Sequence, residues 1–105
     1  MTILHFCARA DWEAARAEGE YAADTLATEG FIHCSTVDTV HLPANALARG
    51  RTDLVLLDID ETRLTAEVRW EGVPPFPHVY GPIPVSAVTA VRDFRPGPEG
   101  TFEPL

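Results

Sequence analysis

Lysine is absent from the chain, and all 8 basic residues are arginine. Without lysine there is no Schiff-base chemistry, no lysine general base and no lysine of a phosphate-binding loop. The 16 acidic residues give a formal net charge of −8. Phosphate contacts need clustered cations, so this balance opposes nucleic acid and anionic membranes. We therefore predict neither as a partner, whereas a small anionic molecule stays open if a few arginines converge.

Cysteine is scarce, and long apolar runs are missing. Cys7 and Cys34 are the 2 cysteines, too few for a disulfide framework. No uncharged apolar run is long enough to span a membrane. The opening residues 1–6 lack the basic segment, apolar stretch and cleavage site of a secretory signal. We expect a cytoplasmic protein in which both cysteines are free thiols.

The remaining composition is that of one folded domain, residues 1–105. Apolar residues make up 46% of the chain, and a chain of this length buries roughly two-thirds of its unfolded surface. Alternating apolar residues predict half-buried strands, and the nearly continuous run at 54–59 predicts a strand covered on both faces. The pattern predicts strands at 2–7, 31–34, 54–59, 65–70, 78–80, 87–94 and 101–103, helices at 10–18 and after Thr36, and a loop at 71–77.

Histidines fall on several of the predicted strands. His5 and His33 lie within strands and His78 begins one, and on the second strand Ser35 shares a face with His33. His78 and Tyr80 share a face in the same way. Several polar groups in one small core are costly without a use, so we predict that these five line one cleft.

Two other interpretations of the histidines remain open. Each can be a hydrogen-bonded structural residue, or the three imidazoles can hold zinc with an open fourth position. Their spacing lacks the short ligand pairs of strong zinc sequences. Cys34 is not predicted to be a nucleophile activated by His33, because adjacent strand residues point to opposite faces.

Three stretches carry a family resemblance, with Asp53-Leu54-Val55-Leu56-Leu57 between the last two: Leu4-His5, the run Glu29-Gly30-Phe31-Ile32-His33-Cys34-Ser35-Thr36, and Phe76-Pro77-His78-Val79-Tyr80-Gly81-Pro82. Together they resemble the bacterial family called domain of unknown function 952, over nearly the whole chain. That family in turn is similar in fold to the ADP-ribosyltransferase superfamily, which splits nicotinamide adenine dinucleotide (NAD) in a cleft. The resemblance implies an ADP-ribosyltransferase-like α+β fold, with two short, mostly antiparallel sheets around the cleft and two main helices.

The resemblance also implies roles for particular residues. His5 stands where the superfamily carries an Arg or His that binds the nicotinamide ribose side, and Ser35 and Thr36 match the Ser or Thr that ends a second strand. His78, however, stands where the superfamily carries its catalytic Glu. Imidazole does not replace a carboxylate that balances positive charge at the anomeric carbon. Glu71, at the other end of the loop, is the acidic residue that can substitute for it.

Three functional hypotheses follow from these residues. In the first, the chain binds or transforms a nucleotide such as NAD or ADP-ribose, with His5, His33 and His78 as catalytic residues. The residues expected to bind this ligand are Ser35, Thr36, Tyr80, Tyr21 as a stacking ring, and Arg9 as a phosphate contact. In the second, suggested by the missing Glu, the fold is kept as a non-enzymatic partner-binding domain. In the third, the histidines hold a metal ion.

Overall fold

The whole chain, residues 1–105, is described by a computed structural model. Eight strands and three helices build an α+β domain. None of its helices has the length and apolar character to cross a membrane. The strands are β1 (Thr2–Ala8), β2 (Glu20–Tyr21), β3 (Ile32–His33), β4 (Leu54–Asp60), β5 (Val68–Glu71), β6 (Phe76–Val79), β7 (Ile83–Pro84) and β8 (Val88–Phe94), and the helices are α1 (Arg9–Glu18), α2 (Asp24–Thr28) and α3 (His41–Leu47).

The strands form three antiparallel sheets, where two were expected. The first has the order β1-β4-β8, the second pairs β2 with β7, and the third has the order β3-β6-β5. The helix count also differs: the structure has the short helix α2 in addition to the two predicted helices. Sequence patterns miss β2 and α2 because elements of 2 and 5 residues are too short to show a period.

β4 is covered on both faces, as its apolar run predicts. Val55, Leu57 and Ile59 face one core together with Trp12 of α1. Leu54 and Leu56 face a second core on the opposite side, against α3 and the C-terminal segment. Each fully buried aliphatic side chain of this kind stabilises the fold by about 1.5–3 kcal/mol, so β4 anchors the domain.

The third sheet is covered on one face only. Ile32 of β3 and Val79 of β6 pair across the strands and face the first core. His33 and His78 pair in the next register position, and adjacent strand residues point to opposite faces. The sheet therefore presents its histidines on the face turned away from the core.

Residues 71–77, predicted as a loop, in fact form the turn and flanking residues of a β5–β6 hairpin. Glu71 pairs with Phe76, and Trp70 with Pro77. Proline is rare in a central strand because it lacks the N–H donor, which is why the sequence indicated a loop. Trp70 is 42% exposed, because β5 is the edge strand of the sheet.

The C-terminal segment contains no strand, contrary to the prediction for 101–103. Phe102 is nevertheless buried, with its ring 4.6 Å from that of Phe94. The side chain of Asn45 accepts a hydrogen bond from the Phe102 backbone N–H at 2.7 Å and donates one to its carbonyl oxygen at 2.9 Å. An asparagine amide thus takes the place of a neighbouring strand.

Candidate functional site

One part-open cleft of about 660 Å³ lies where α1, β2, β1 and the third sheet meet. A backbone bridge forms this junction: the N–H of Leu4 donates to the Ser35 carbonyl at 2.8 Å, and the N–H of Ser35 donates to the Leu4 carbonyl at 2.7 Å. The bridge brings His5, the next residue of β1, beside the third sheet. His5, Tyr21, His33, Ser35 and His78 all line the cleft.

His5 is buried, with both ring nitrogens hydrogen-bonded. Nδ1 lies 2.6 Å from the carbonyl oxygen of His33, and a carbonyl oxygen only accepts, so Nδ1 carries the proton. Nε2 is then the acceptor, and it receives the hydroxyl proton of Tyr21 at 2.9 Å. Burial lowers the pKa of His5 to about 4, against a smaller opposing effect of the His33 carbonyl. The ring is therefore a neutral, fixed tautomer at pH 7.

Tyr21 is held as a neutral hydrogen-bond donor by the same burial. Burial, followed by smaller effects of Cys7 and Asp11, raises the pKa of Tyr21. Proton transfer from Tyr21 to His5 is thus opposed at both ends, because each group strongly prefers its neutral form. The pair supplies shape and hydrogen-bonding capacity to the cleft, with lone pairs of the Tyr21 oxygen left to accept.

His78 is paired with a carboxylate. Its Nδ1 lies 2.8 Å from Oε1 of Glu71, and the Tyr80 hydroxyl donates to the same oxygen at 2.5 Å. These two hydrogen bonds, that of Tyr80 first, lower the pKa of Glu71, so Glu71 is ionised and accepts. Nδ1 of His78 therefore donates, and Nε2 has no partner in the chain.

Aromatic rings fix the plane of the His78 imidazole. Phe31 stacks on it with 4.1 Å between ring centroids and 8° between planes. His33 lies edge-on to His78 at 5.2 Å, and its Nε2 is hydrogen-bonded to Oε1 of Glu29 at 3.2 Å. His33 is exposed and His78 is only 15% exposed in its side chain, so of the two it is His78 that is held in one orientation.

Three of the predicted ligand-binding residues lie outside the cleft. Arg9, predicted as a phosphate contact, pairs with Asp93 of β8 and is not among the residues that line the cleft. Thr36 bonds to Thr39, with 2.9 Å between the hydroxyl oxygens, in the turn before α3. Tyr80 lies under the guanidinium of Arg69 and donates a hydrogen bond to Glu71. It therefore contacts the residue that holds His78 and not the cleft itself.

The acidic lining of the cleft escaped sequence reasoning. Asp11, Glu18, Glu20 and Asp24 all line it, and none was a predicted site residue. Asp11, Ala14, Ala15 and Glu18 are spaced as on one helix face. This spacing was the only feature of the sequence that indicated a shared position for the two acidic residues of α1. Nothing in the sequence showed that this face of α1 looks onto the histidines.

Both cysteines are free and buried. Burial raises the pKa of the Cys7 thiol to about 11 and raises the pKa of Cys34 as well. Both are therefore thiols at neutral pH, and the nucleophile is the thiolate. Cys34 packs into the core on the face opposite His33, as the alternation along the strand predicts.

The histidines are not arranged for a metal ion. No three His, Cys, Asp or Glu side chains come together in a group able to hold one. Both nitrogens of His5 are already engaged, which removes one of the three proposed ligands. The metal hypothesis finds no support in this geometry.

The model of a protein family of unknown function, DUF952, matches residues 6–91. The chain belongs to the DUF952 family. The predicted family resemblance is thereby confirmed. The matched segment contains His33, Ser35, Glu71 and His78, and ends just past the cleft-lining residues. None of the curated proteins matches the chain.

Solved structures of protein CC0527 from Caulobacter crescentus share the fold of this DUF952 chain. Its crystal structure is 33% identical, covers 98% of this chain and 94% of that one, and has a TM-score of 0.89. A double-mutant crystal structure has 32% identity and a TM-score of 0.88. The solution NMR structure has 31% identity over 97% of this chain and 91% of that one, with a TM-score of 0.82. These relatives support the α+β fold, and none is described as an ADP-ribosyltransferase.

Proposed function

We propose that the cleft binds a small organic molecule and that His78, oriented by Glu71, exchanges a proton with it. The observation that carries this proposal is the free Nε2 of His78 at the cleft lining. An imidazole with one nitrogen bonded to a carboxylate is fixed in orientation, and its other nitrogen is available to exchange a proton with a ligand. Glu71 does not line the cleft, so its role is to position His78 and stabilise the imidazolium that forms.

The size and lining of the cleft support a small-molecule ligand. A volume of about 660 Å³ lies within the usual range of about 300–1,000 Å³ for such sites. Phe6 and Phe76 contribute apolar surface to the same lining. Convergent polar groups among apolar side chains are the ordinary composition of a binding site.

A nucleotide such as NAD or ADP-ribose is the second candidate ligand, as the resemblance to ADP-ribosyltransferases implies. Its support is the aromatic lining, which can stack on a base or nicotinamide ring. Glu71 does not take the place of the superfamily's catalytic Glu, since it is bonded to His78 and Tyr80 outside the cleft lining. We propose this ligand as a bound molecule, without assigning the transfer of ADP-ribose to it.

Acylation by diethyl pyrocarbonate tests the state of His78 without a known substrate. The reagent modifies accessible, unprotonated imidazole nitrogens, and peptide mass spectrometry identifies the site. We expect His78 to be modified at pH 7 while His5, with both nitrogens engaged, is protected. Glu71→Gln should slow the reaction, because the amide does not hold Nδ1–H as a carboxylate does. Equal protection of His5 and His78 would contradict an accessible Nε2.

Binding is tested by NMR titration with nicotinamide, adenosine, NAD and ADP-ribose. We expect at least one of them, at concentrations up to about 5 mM, to shift resonances of cleft residues. His78→Gln should weaken that binding more than Thr89→Val, a matched change on β8 outside the cleft. If none of the four shifts a cleft resonance, the nucleotide candidate fails and the partner-binding hypothesis gains support.

A further inference from the structure

The cleft is lined by carboxylates that have no ion-pair partner. Asp11 and Glu18 lie on one stripe of α1, Glu20 on β2 and Asp24 at the start of α2. Six of the arginines form ion pairs, and none pairs with these four side chains. The pairing of charges across the molecule thus leaves part of the unbalanced negative charge at the cleft, and the rest on residues outside it such as Asp38, Glu61 and Glu99.

The one arginine of the lining does not offset this charge. Arg51 lines the cleft, but its guanidinium makes a two-point contact with Asp53, at 3.0 Å from Nε and 2.6 Å from an Nη atom. That contact raises the pKa of Arg51 and lowers the pKa of Asp53. Arg51 is therefore neutralised locally and is not free to bind an anion.

A buried hydroxyl independently indicates a ligand at the same place. Ser35 is only 4% exposed and lines the cleft, yet its Oγ has no hydrogen-bond partner in the chain. Buried hydroxyl groups are normally paired. An unpaired one at a cleft lining is available to a bound molecule, together with the lone pairs of the Tyr21 oxygen.

The negative field also reaches groups inside the cleft. The pKa of Cys7 is raised to about 11, first by burial, with Asp11 adding in the same direction. Asp11 likewise contributes to the raised pKa of Tyr21, after burial and Cys7. The four acidic residues themselves are exposed, so added salt should weaken their field.

We infer that the cleft selects small organic cations over anions, with unpaired carboxylates as the charge complement and the Ser35 hydroxyl as a hydrogen-bonding group. This inference rests on the proposed function and narrows its ligand class. For a nucleotide such as NAD it places the positively charged nicotinamide ring, and not the phosphates, in the cleft. It also explains why Arg9 makes no contact there.

Charged nitroxides test the field directly. Two probes with the same ring, one bearing trimethylammonium and one carboxylate, are added to labelled protein, and amide relaxation is measured. We expect the cationic probe to relax Ala14 and Ala22 more than the anionic probe does. At these two residues, the ratio of relaxation by the cationic probe to relaxation by the anionic probe should exceed the same ratio at Thr89 on β8. The comparison with Thr89 corrects for the net charge of the protein. A cleft ratio no higher than at Thr89 overturns the inference.

Matched variants assign the effect to the cleft carboxylates. Asp11→Asn combined with Glu20→Gln should bring the cleft ratio down toward that of β8. Glu99→Gln combined with Glu103→Gln removes the same charge elsewhere and should leave the cleft ratio unchanged. Equal loss in both variants shows that net charge, and not the cleft, controls the probe, and that result also overturns the inference.

Ligand preference is measured with three rings that differ in charge: 1-methylnicotinamide as cation, nicotinamide as neutral form and nicotinate as anion. We expect the cation to bind at least about 5-fold more tightly than the anion, and its advantage to shrink at high salt. Nicotinate binding as tightly in the cleft overturns the inference while the proposed function stands. If no ring binds, the ligand class fails, and the proposed function is decided separately by acylation of His78.

Discussion

Two histidines line the same cleft in opposite chemical situations, one on β1 and one on β6. His5 is enclosed by a backbone carbonyl and the Tyr21 hydroxyl, which use both of its nitrogens. His78 has one nitrogen on Glu71 and one free. The first ring is held neutral by burial, and the second is held in one orientation by a carboxylate and a stacked phenyl ring.

This difference assigns a structural role to His5 and a chemical role to His78. The His5 ring connects β1, β2 and β3 through hydrogen bonds, so its removal should affect stability first. The His78 ring makes a single hydrogen bond on the face of the third sheet away from the core, so its removal should affect reactivity first. The four predictions below test this division, beginning with the largest expected effect.

His5→Ala should lower the free energy of unfolding by about 4 kcal/mol, because it opens a cavity and leaves the Tyr21 hydroxyl and the His33 carbonyl without partners. His78→Ala, the matched change on the other side of the comparison, should cost only about 1 kcal/mol, since Glu71 keeps its bond to Tyr80. Urea unfolding followed by fluorescence measures both values. Equal losses would remove the distinction between the two rings.

Acid should destabilise the protein through His5. The pKa of this ring is about 4 when folded and 6.5 in the absence of burial. Between these values the unfolded chain binds a proton that the folded chain does not, so the free energy of unfolding falls as the pH falls. The full loss from this group is about 3 kcal/mol, and it is absent above pH 6.5.

The His5→Gln variant isolates that contribution, because every carboxylate remains in it. The wild-type free energy of unfolding, measured from pH 7 to pH 4, should decline more steeply than that of the variant. Thr89→Val on β8, which carries no titratable group and lies outside the cleft, serves as the control and should keep the wild-type slope. Parallel curves for wild type and His5→Gln would show that His5 is protonated equally in both states.

Tyr21→Phe should cost about 1 kcal/mol, because the ring stays in the core while the donor to His5 Nε2 is lost. Part of the depression of the His5 pKa should persist, because burial is its largest cause. Calorimetric unfolding measures the loss in the free energy of unfolding. Phe76→Tyr is the reverse control, because it adds a hydroxyl at a ring of the cleft lining that has no hydrogen-bond partner. A Tyr21→Phe variant as stable as wild type would mean that this hydrogen bond contributes nothing.

The sequence was sufficient for the elements that carry a long or regular apolar pattern. The β4 run and the alternation of Ile3, His5 and Cys7 in β1 predicted strands and faces that the structure confirms. Such elements are readable because each buries a face of its own.

The candidate site was only partly readable, because it depends on contacts between distant segments. The histidines were identified from their strands, but the meeting of His5 with Tyr21 is made by the bridge between Leu4 and Ser35. Glu71 was named as a candidate, but as a substitute for the catalytic Glu and not as the partner of His78. Its pairing with His78 depends on the β5–β6 hairpin, which the sequence did not indicate because Pro77 is unusual in a strand. Local propensity contains no information on such pairings.

The smallest expected effect concerns the Glu71 carboxylate, and it tests the support of His78 directly. The pKa of Glu71 is lowered by hydrogen bonds, first from Tyr80 and then from His78. Tyr80→Phe should therefore raise this pKa toward its ordinary value more than His78→Gln does, as measured by carboxyl carbon shifts in an NMR pH titration. If His78→Gln gives the larger change, then the imidazole is the stronger hydrogen-bond partner of Glu71 and the Tyr80 hydroxyl is incidental to the support of His78.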